Sequence, residues 1–440
     1  MTAGSDDSVK QVATRARAAS RVLARLSHGR RNEALLKVAG GIEESGQQIL
    51  AANKRDREAA QLEVAAGKMS FALFSRLEVT GRGVKEMAGR IRDVARLPDP
   101  VGRLISKIEL DDGLILCKDS CPLGVVGIVF ESRPDVIPQV ASLTLKSANA
   151  VILKGGAEAG RTNEAMVSIW RSCLREFPDI PEDAIQLLRT RADALELLSL
   201  DRDVDLIIPR GSRELVEFVA KNSRIPVLGH GEGICHVYVD RAADIAKAVA
   251  VAYDSKVQYP AACNAVESLL VHETIAHEFL PQIARKLRSA DVELRGCSKT
   301  AAMLADEEIR PATDADWSTE YSDKILSIKI VGSLEEAIEH IARFGSRHTE
   351  AIVTEDGEAA KRFLEEVDAA GVYHNVSTRF ADGFRYGLGA ELGISTSKLH
   401  ARGPVGLEGL VTYKYKLSGD GHTVAEYSSG KRSFQHRTIG

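Results

Sequence analysis

One cysteine of the chain, Cys263, stands among small residues just before an apolar run. Its neighbours Ala261, Ala262 and Ala265 leave room for an acyl group, and the apolar residues 268–271 predict a β-strand. A loop at a strand edge makes a thiol accessible to substrate, and backbone N–H groups that stabilise a thiolate there would let it attack a carbonyl and form a thioester. The spacing also fits an ordinary buried cysteine, which on spacing alone is the commoner case.

Two strand-to-helix turns combine a cation with glycine. Apolar residues 151–153 run into Lys154 and a pair of glycines that ends at Gly156, and a second apolar run leads into Gly211 and Ser212. Glycine lets the backbone approach a ligand, and Lys154 could bond the ribose hydroxyls or a phosphate of a dinucleotide. Neither turn matches G-x-G-x-x-G, and each alone is more often a simple connection. On one edge of a sheet the two turns would support each other as a cofactor site.

The first hundred residues predict helices that lead into a hairpin. Between residues 8 and 96 apolar residues recur at helical spacing with charges on the other faces, which indicates a run of amphipathic helices. Pro98 and Pro100 end this run. Residues 104–118 then alternate around a turn at residues 111–113, and this pattern predicts a β-hairpin.

From residue 122 onward, apolar strands alternate with helices in two successive regions. The first region predicts strands at residues 125–130, 150–153, 185–188 and 204–208, with helices at residues 138–147, 161–176, 192–199 and 212–222. The second predicts strands at residues 237–239, 268–271, 325–331 and 351–353, with helices at residues 242–253, 275–289 and 334–344. This alternation predicts an α/β fold with two Rossmann-like parallel sheets, and right-handed crossovers place the turns after the strands on one edge of each sheet.

The end of the chain predicts one more strand and then a mobile tail. Residues 410–417 alternate between apolar and polar side chains, which is typical of a strand with one covered face. Residues 418–440 are polar and contain few apolar side chains. We therefore expect them to be mobile unless a partner orders them.

The composition excludes several classes of function. With 440 residues, 44% apolar and 27% charged, the chain can bury a large core over two or three domains. Its 58 basic and 62 acidic residues give a net charge of −4 spread along the chain, without the basic excess that nucleic-acid or anionic-membrane binding needs. No secretory signal or membrane segment is visible, and six cysteines without metal-type clustering indicate reduced thiols of a cytoplasmic protein. The histidines show no metal-ligand spacing either, so we expect no bound metal.

Several stretches taken together resemble one family. The stretch Val126-Gly127-Ile128-Val129-Phe130-Glu131-Ser132-Arg133-Pro134, the turn at Lys154, residues 233–240 and the loop Cys263-Asn264 resemble γ-glutamyl phosphate reductases of the aldehyde dehydrogenase superfamily. The same holds for residues 331–352 with His340, His348 and Glu350, and for residues 378–380, 387–391 and 398–404. The resemblance runs in order from about residue 8 to residue 415. It makes Cys263 the expected nucleophile.

The resemblance implies an aldehyde-dehydrogenase-like fold of two Rossmann-like domains with a β-hairpin arm for oligomerisation. Residues 1–99 and 122–227 would bind NADPH, residues 228–405 would present Cys263, and residues 100–121 and 406–440 would form the arm and tail. The implied reaction is the reduction of L-glutamyl 5-phosphate to L-glutamate 5-semialdehyde and phosphate through a Cys263 thioester, the second step of proline biosynthesis. Unpaired strand edges in the arm would pair between subunits, so we expect a homodimer or homotetramer.

The resemblance also gives individual residues expected roles. The expected cofactor-binding residues are Lys154, Gly156, Gly211, Ser212 and Glu320. The substrate carries a phosphate and an amino-acid head, which require cations and amides. The expected substrate-binding residues are Arg133, Asn264, Asn375, Arg379 and Arg402. Glu320 would bond the nicotinamide ribose unless it is a solvated loop carboxylate, and each arginine could instead belong to a structural ion pair.

Two positions depart from the oxidising aldehyde dehydrogenases. Leu228 or Gly229 stands where those enzymes carry the glutamate that activates water, which suits a reductase because water would hydrolyse the thioester. Ser132 stands in place of the oxyanion asparagine, so backbone N–H groups near Cys263 would stabilise the oxyanion. Two alternatives stay open: a non-phosphorylating aldehyde dehydrogenase, which the missing glutamate disfavours, and an inactive scaffold for glutamate kinase, which the intact Cys263 loop disfavours. An active enzyme could also contact glutamate kinase, which makes the acyl phosphate.

Overall fold

The chain forms two compact units. The computed structural model describes residues 7–229, 231–305 and 308–439. The first unit comprises Met1–Leu228, Leu388–Gly393 and Val405–Gly440, and the second comprises Gly229–Gly387 and Ile394–Pro404. The segment Leu388–Gly393, expected in the cysteine-bearing region, groups with the first unit, where Gln139 Nε2 donates to the carbonyl of Glu391 at 2.6 Å.

Five helices open the first unit, as the helical spacing predicts. They are α1 (Val9–Leu23), α2 (His28–Glu44), α3 (Gly46–Ala65), α4 (Phe71–Arg76) and α5 (Gly81–Arg96). At the start of α1, α2, α4 and α5, a serine or threonine hydroxyl accepts an N–H of the first turn, which stabilises the helix end. The apolar faces are buried, as Leu23 and Leu35 show with no exposed surface.

A hairpin and a four-stranded parallel sheet follow. The predicted hairpin is confirmed: β1 (Leu104–Asp111) pairs antiparallel with β2 (Leu114–Pro122) across a turn in which Gly113 has a φ of 75°, a conformation that favours glycine. The parallel sheet consists of β3 (Val125–Phe130), β4 (Ala150–Lys154), β5 (Ile185–Leu188) and β6 (Leu206–Arg210), in the order β5-β4-β3-β6. The helices between these strands and after them are α6 (Val136–Lys146), α7 (Gly160–Leu174), α8 (Arg191–Leu197) and α9 (Arg213–Asn222).

The second unit contains a seven-stranded parallel sheet. Its strands are β7 (Cys235–Val239), β8 (Val266–His272), β9 (Glu293–Gly296), β10 (Ile309–Pro311), β11 (Ile325–Val331), β12 (Thr349–Val353) and β13 (Gly371–His374), in the order β10-β9-β11-β8-β7-β12-β13. Its helices are α10 (Ile245–Val257), α11 (Glu273–Arg288), α12 (Ser298–Met303), α13 (Leu334–Phe344) and α14 (Gly357–Glu366), and the short strands β14 (Ile394–Ser395) and β15 (Gly403–Pro404) pair with each other. Phe279 of α11 and Leu269 of β8 belong to the main apolar core. The loop before β8 is therefore attached to a fully buried central strand.

The structure corrects the expectation of a mobile tail. After β16 (Val411–Ser418) the chain forms α15 (Val424–Ser428) and β17 (Arg437–Thr438), and the antiparallel sheet has the order β16-β2-β1-β17. The carboxylate of Asp111 at the hairpin turn accepts three hydrogen bonds from the tail, from Tyr427 Oη at 3.0 Å, Arg432 Nη1 at 3.2 Å and Gln435 Nε2 at 3.2 Å. Charge-assisted hydrogen bonds, and not apolar burial, therefore order this polar segment.

The described residues contain neither a membrane-spanning helix nor a disulfide. No helix among them combines the length and the apolar content that crossing a bilayer requires. The six cysteines are not paired in disulfides, and Cys263 and Cys297 are half-buried. No group of three His, Cys, Asp or Glu among the described residues could hold a metal ion, and His230 lies outside those residues.

Candidate active site

The loop that carries Cys263 connects α10 to β8. In this nucleophile loop, residues 258–265, the N–H of Ala262 donates to the carbonyl of Tyr259 at 3.2 Å, and the N–H of Ala265 donates to the carbonyl of Ala262 at 2.9 Å. Small side chains allow these two turns to follow each other closely. Cys263 is half-buried, so the loop presents a thiol that is neither sealed in the core nor fully in solvent.

Gly233, two residues before β7, and Cys235, the first residue of β7, both lie against the backbone of Cys263. A Cβ atom on Gly233 would lie 2.0 Å from the carbonyl oxygen of Cys263 and 2.8 Å from its Cα, so a side chain there would displace the loop. The thiol of Cys235 lies 3.4 Å from the same carbonyl oxygen. Burial raises the pKa of Cys235 well above its ordinary value, so this thiol stays protonated and donates. Gly233 was missed as a site residue, and its only signal was its place in the family-like stretch 233–240.

A second segment, around residues 378–380, is bonded to both ends of the nucleophile loop. Arg379 Nε donates to Gln258 Oε1 at 2.9 Å at one end, and Asn264 Nδ2 donates to the carbonyl of Ala381 at 2.7 Å at the other. Asn264 is only 4% exposed, and its Oδ1 has no partner among the described residues. The structure thus brings two of the expected substrate-binding residues, Asn264 and Arg379, to the loop of the expected nucleophile.

A pocket of about 200 Å³ lies beside this contact. It is lined by Asp254, Gln258, Arg379, Phe380 and Arg385. Arg379 is 8% exposed, and Arg385 Nη1 donates to its carbonyl at 2.6 Å. Burial and the positive charge of Arg385 lower the pKa of Arg379, while the charge of Cys263 acts in the opposite direction. The pocket members Asp254, Gln258 and Arg385 were missed, because nothing in their local sequence indicates that they share a pocket.

A buried ion pair joins the two ends of the nucleophile loop. Lys256 Nζ, at the end of α10, lies 2.6 Å from Oε2 of Glu267 in β8, and neither side chain is more than 1% exposed. Burial raises the pKa of Glu267 to about 7 and lowers the pKa of Lys256, and their short contact opposes both shifts. The N–H of Ser322 donates to Glu267 Oε1 at 3.2 Å, and the Ser322 hydroxyl lies 3.5 Å from Oε1 of Glu320. The pair therefore connects the nucleophile loop to the loop of Glu320.

Two other expected substrate-binding residues are engaged in structural contacts. The carboxamide of Asn375 accepts the N–H of Thr354 and donates to its carbonyl, both at 3.0 Å. Arg402 lies 2.9 Å from Asp368, whose carboxylate also holds Lys398 at 2.7 Å. Their polar groups stabilise loops of the second unit, and neither Asn375 nor Arg402 lines the pocket described above.

In the first unit, the two turns expected to bind the cofactor lie on one sheet edge. β4 and β6 flank β3 and run parallel to it, so the turns after them, with Lys154 and Gly211, meet at the carboxyl edge of the sheet. Lys154 Nζ donates to the carbonyl of Gly155 at 2.9 Å, and burial lowers the pKa of Lys154. A Cβ on Gly155 would lie 2.3 Å from Asn163 Nδ2, so there is no room for a side chain at this position.

Glutamates interact with the donors of this edge. Glu131 Oε2 accepts the N–H of Ser212 at 2.7 Å, and the Ser212 hydroxyl caps α9. Glu158 Oε1 accepts the N–H of Ser132 at 2.8 Å and its hydroxyl at 2.7 Å. Carboxylates accept hydrogen bonds from ribose hydroxyls, and Lys154 supplies a cation for a phosphate, so the residues at this edge fit a dinucleotide.

Comparison with known proteins indicates one family. The model of the aldehyde dehydrogenase family matches residues 1–303. The γ-glutamyl phosphate reductase of Synechococcus sp. (strain JA-3-3Ab) is 55% identical over 423 residues, which are 96% of this chain and 92% of that protein. The γ-glutamyl phosphate reductase of Haloquadratum walsbyi is 52% identical over 429 residues, which are 96% of this chain and 93% of that protein. The chain belongs to the γ-glutamyl phosphate reductases of the aldehyde dehydrogenase family.

Solved structures agree with this assignment. The γ-glutamyl phosphate reductase from Thermotoga maritima superimposes with a TM-score of 0.92 at 43% identity, and the match covers 95% of this chain and 100% of that chain. An acetylating aldehyde dehydrogenase from Geobacillus thermoglucosidasius, at 18% identity and a TM-score of 0.64, is similar in fold alone. The chain therefore has the α/β aldehyde dehydrogenase fold and belongs to the family that the sequence predicted.

Proposed function

We propose that this member of the family converts L-glutamyl 5-phosphate to L-glutamate 5-semialdehyde and phosphate, with NADPH as the reductant and Cys263 as the nucleophile. The reaction is the second step of proline biosynthesis from glutamate, and we place it in the cytoplasm. The observation that carries the proposal is the nucleophile loop, in which Cys263 is half-buried between two hydrogen bonds to the segment that bears Arg379.

The covalent chemistry belongs to the sulfur of Cys263. The thiolate attacks the γ-carbonyl carbon, a carbon–sulfur bond forms, and the carbon–oxygen bond to phosphate breaks with its electron pair leaving on phosphate. The nicotinamide cofactor, when bound, supplies the hydride that reduces the thioester. N–H groups of the nucleophile loop are the donors that we propose for the oxyanion. Breaking the carbon–sulfur bond then releases the aldehyde and restores the thiolate.

The cofactor-binding residues that we propose lie at the carboxyl edge of the first unit's sheet. Lys154 would contact the ribose or a phosphate of NADPH, and Gly156 and Gly211 would let the backbone approach. Ser212 adds a hydroxyl. Support comes from Lys154, because a partly desolvated cation gains free energy from an anionic ligand. The role of Glu320 at the nicotinamide ribose stays a prediction.

Among the substrate-binding residues we give priority to Arg379 and Asn264. Both are bonded to segments that fix the nucleophile loop, and Arg379 lines the adjoining pocket. Asn375 and Arg402 already have structural partners in the second unit. Arg133 is exposed in the first unit. The substrate contacts of these three residues stay predictions.

We further propose a homodimer or homotetramer that assembles through the antiparallel sheet of the first unit. β16 is an edge strand of that sheet, and Tyr413, Tyr415 and Leu417 on it are each about half exposed, at 49%, 60% and 58%. A long edge strand that bears apolar side chains favours pairing with another chain. Contact with glutamate kinase stays a prediction.

The reaction is tested in reverse, by NADP⁺ reduction with glutamate 5-semialdehyde in the presence and absence of phosphate or arsenate. We expect strict dependence on the anion, because an acyl enzyme that excludes water can be released only by an anionic acceptor. Turnover without either anion would mean that water hydrolyses the thioester, and the enzyme would then be an ordinary aldehyde dehydrogenase.

Gly233→Ala is expected to lower the kcat/KM of this reaction by about 10²-fold. The new Cβ must displace the Cys263 backbone by about an ångström, and a displacement of that size at a reacting group has an effect of this order. Gly231→Ala is the matched control, because a Cβ at Gly231 meets nothing within 4 Å. Steady-state kinetics and circular dichroism of both variants provide the measurement. Equal rates would show that Gly233 does not hold the loop.

A further inference from the structure

The pocket beside the nucleophile loop carries charges of both signs. Arg379 and Arg385 supply two guanidinium groups, Asp254 supplies a carboxylate, and Gln258 supplies an amide. Phe380 adds an apolar wall. A site built only for an anion would exclude the carboxylate, because two like charges repel at close range. The composition of this pocket therefore suits a ligand that is itself a zwitterion.

Asp382 and Asp254 attract the guanidinium group of Arg379, but neither lies within ion-pair distance of it. Its Nε donates to the neutral amide of Gln258, and no ion pair of Arg379 is found among the described residues. Arg385 donates to the carbonyl of Arg379 and lies 3.9 Å from Asp382, at the outer limit of an ion pair. Arg379 is 8% exposed, and the one ion pair that these two cations make within the described residues is 3.9 Å long, so an anionic ligand between them would gain free energy.

The pocket is also close to the nucleophile along the chain and through hydrogen bonds. Asp254 lies on the last turns of α10, and Gln258 is the first residue of the nucleophile loop. Asn264, the residue after Cys263, donates to the carbonyl of Ala381, two residues beyond Arg379. In L-glutamyl 5-phosphate the α-carbon is three bonds from the acyl carbon, so a group that holds the α-carbon must lie near the group that holds the acyl carbon.

We infer that this pocket binds the α-amino-acid head of the substrate, with the α-carboxylate between Arg379 and Arg385 and the α-ammonium at Asp254. The inference rests on the proposed function and deepens it by assigning the end of the substrate that the pocket holds. Asp254 and Arg385 then determine specificity, because they distinguish a glutamyl chain from other acyl chains of the same length. The phosphoryl group is bound by other residues.

The test compares three aldehydes in the reverse reaction: glutamate 5-semialdehyde, 5-oxopentanoate, which lacks the ammonium, and pentanal, which lacks both charges. Asp254→Asn should lower kcat/KM at least about tenfold for the semialdehyde and leave the other two aldehydes within about twofold. Arg385→Gln should lower kcat/KM at least about tenfold for the two carboxylated aldehydes and spare pentanal. The KM for phosphate should stay within about twofold in both variants.

Matched controls remove exposed charges of the same unit outside the pocket. Asp291→Asn and Arg241→Gln serve this purpose, since their side chains are 92% and 66% exposed. Both should keep the wild-type order of the three aldehydes. If Arg385→Gln instead raised the KM for phosphate and left the discrimination among aldehydes unchanged, the pocket would be the phosphate subsite and the inference would be wrong. Equal losses on all three aldehydes would also overturn it.

Failure of the proposed function has a different signature. Wild-type turnover without phosphate would rule out the acyl-phosphate reaction, yet the comparison of the three aldehydes would still show which end of the substrate the pocket binds.

A readout that needs no turnover is the protection of Cys263 against iodoacetamide. L-Glutamate should protect the wild type at lower concentration than glutarate, which lacks the ammonium, and Asp254→Asn should abolish that difference. Equal protection of the wild type by both compounds would contradict the inference.

Discussion

Cys263→Ser is expected to lower the rate of phosphate-dependent NADP⁺ reduction by at least about 10³-fold. A serine hydroxyl is far less acidic than a thiol, so the attacking anion is almost absent at neutral pH, and both the formation and the release of the acyl enzyme depend on it. Without the nucleophile no acyl enzyme forms, so the covalent mechanism is lost entirely. The rate is measured at saturating semialdehyde, with circular dichroism as the check that the variant is folded.

Cys297→Ser is the matched control for this substitution. Cys297 is half-buried in the same unit, and hydrogen bonds from Thr300 and nearby backbone groups lower the pKa of Cys297, although burial alone would raise it. It is thus the alternative thiol of the same unit, outside the nucleophile loop. We expect Cys297→Ser to keep the wild-type rate within about twofold. A loss of rate in Cys297→Ser with retention in Cys263→Ser would reverse the assignment of the nucleophile.

The fold could be predicted where the elements are long enough to show a period. β11 and α13 begin and end at the residues that the sequence predicted, because seven and eleven residues display their spacing clearly. β9, β10 and β13 have four, three and four residues and were missed. The prediction of a mobile tail was wrong for a different reason: the order of the tail depends on Asp111, which lies more than 300 positions earlier in the chain.

The candidate site shows the same division between local and distant information. Cys263, Lys154 and Gly211 each stand beside a strand that the sequence reveals, so local reasoning could find them. Arg385 and Gly233 could not be found in this way, because the residues that lie beside them in the site are distant in sequence. A family resemblance can identify the stretches that contain such residues, but only the structure shows which atoms are in contact.

At about pH 8.5, Lys256→Met is expected to destabilise the protein by about 3–5 kcal/mol, because Glu267 then either stays a buried charge without its partner or binds a proton far above its ordinary pKa. The measurement is the shift of the urea midpoint at unchanged slope. Lys299→Met is the control, since Lys299 pairs with Glu273 at 3.4 Å between two largely exposed side chains. Loss of such a surface pair changes the free energy of unfolding by less than about 1 kcal/mol. Equal effects of the two substitutions would contradict the prediction.

The loss of stability in Lys256→Met should grow with pH. Burial raises the pKa of Glu267 from its ordinary 4.5 to about 7 even with Lys256 beside it. A raised carboxyl pKa gives stability that is fully present below the unfolded pKa and is lost as the pH rises through the folded pKa. Without Lys256 this pKa rises further, so the variant continues to lose about 1.4 kcal/mol per pH unit above about pH 7, where the wild type no longer does. A difference that stays constant between about pH 5.5 and about pH 8.5 would contradict this account.

The double variant Lys256→Met with Glu267→Leu separates stability from positioning. It removes both buried charges, and replacement of a buried ion pair by apolar side chains is often neutral, so most of the stability should return. The rate should not return, because the end of α10 is no longer bonded to β8 across the nucleophile loop and the N–H of Ser322 loses its acceptor at 3.2 Å. If the double variant regains stability but keeps a low kcat, the ion pair positions Cys263. If stability and kcat both return, the ion pair has a structural role only.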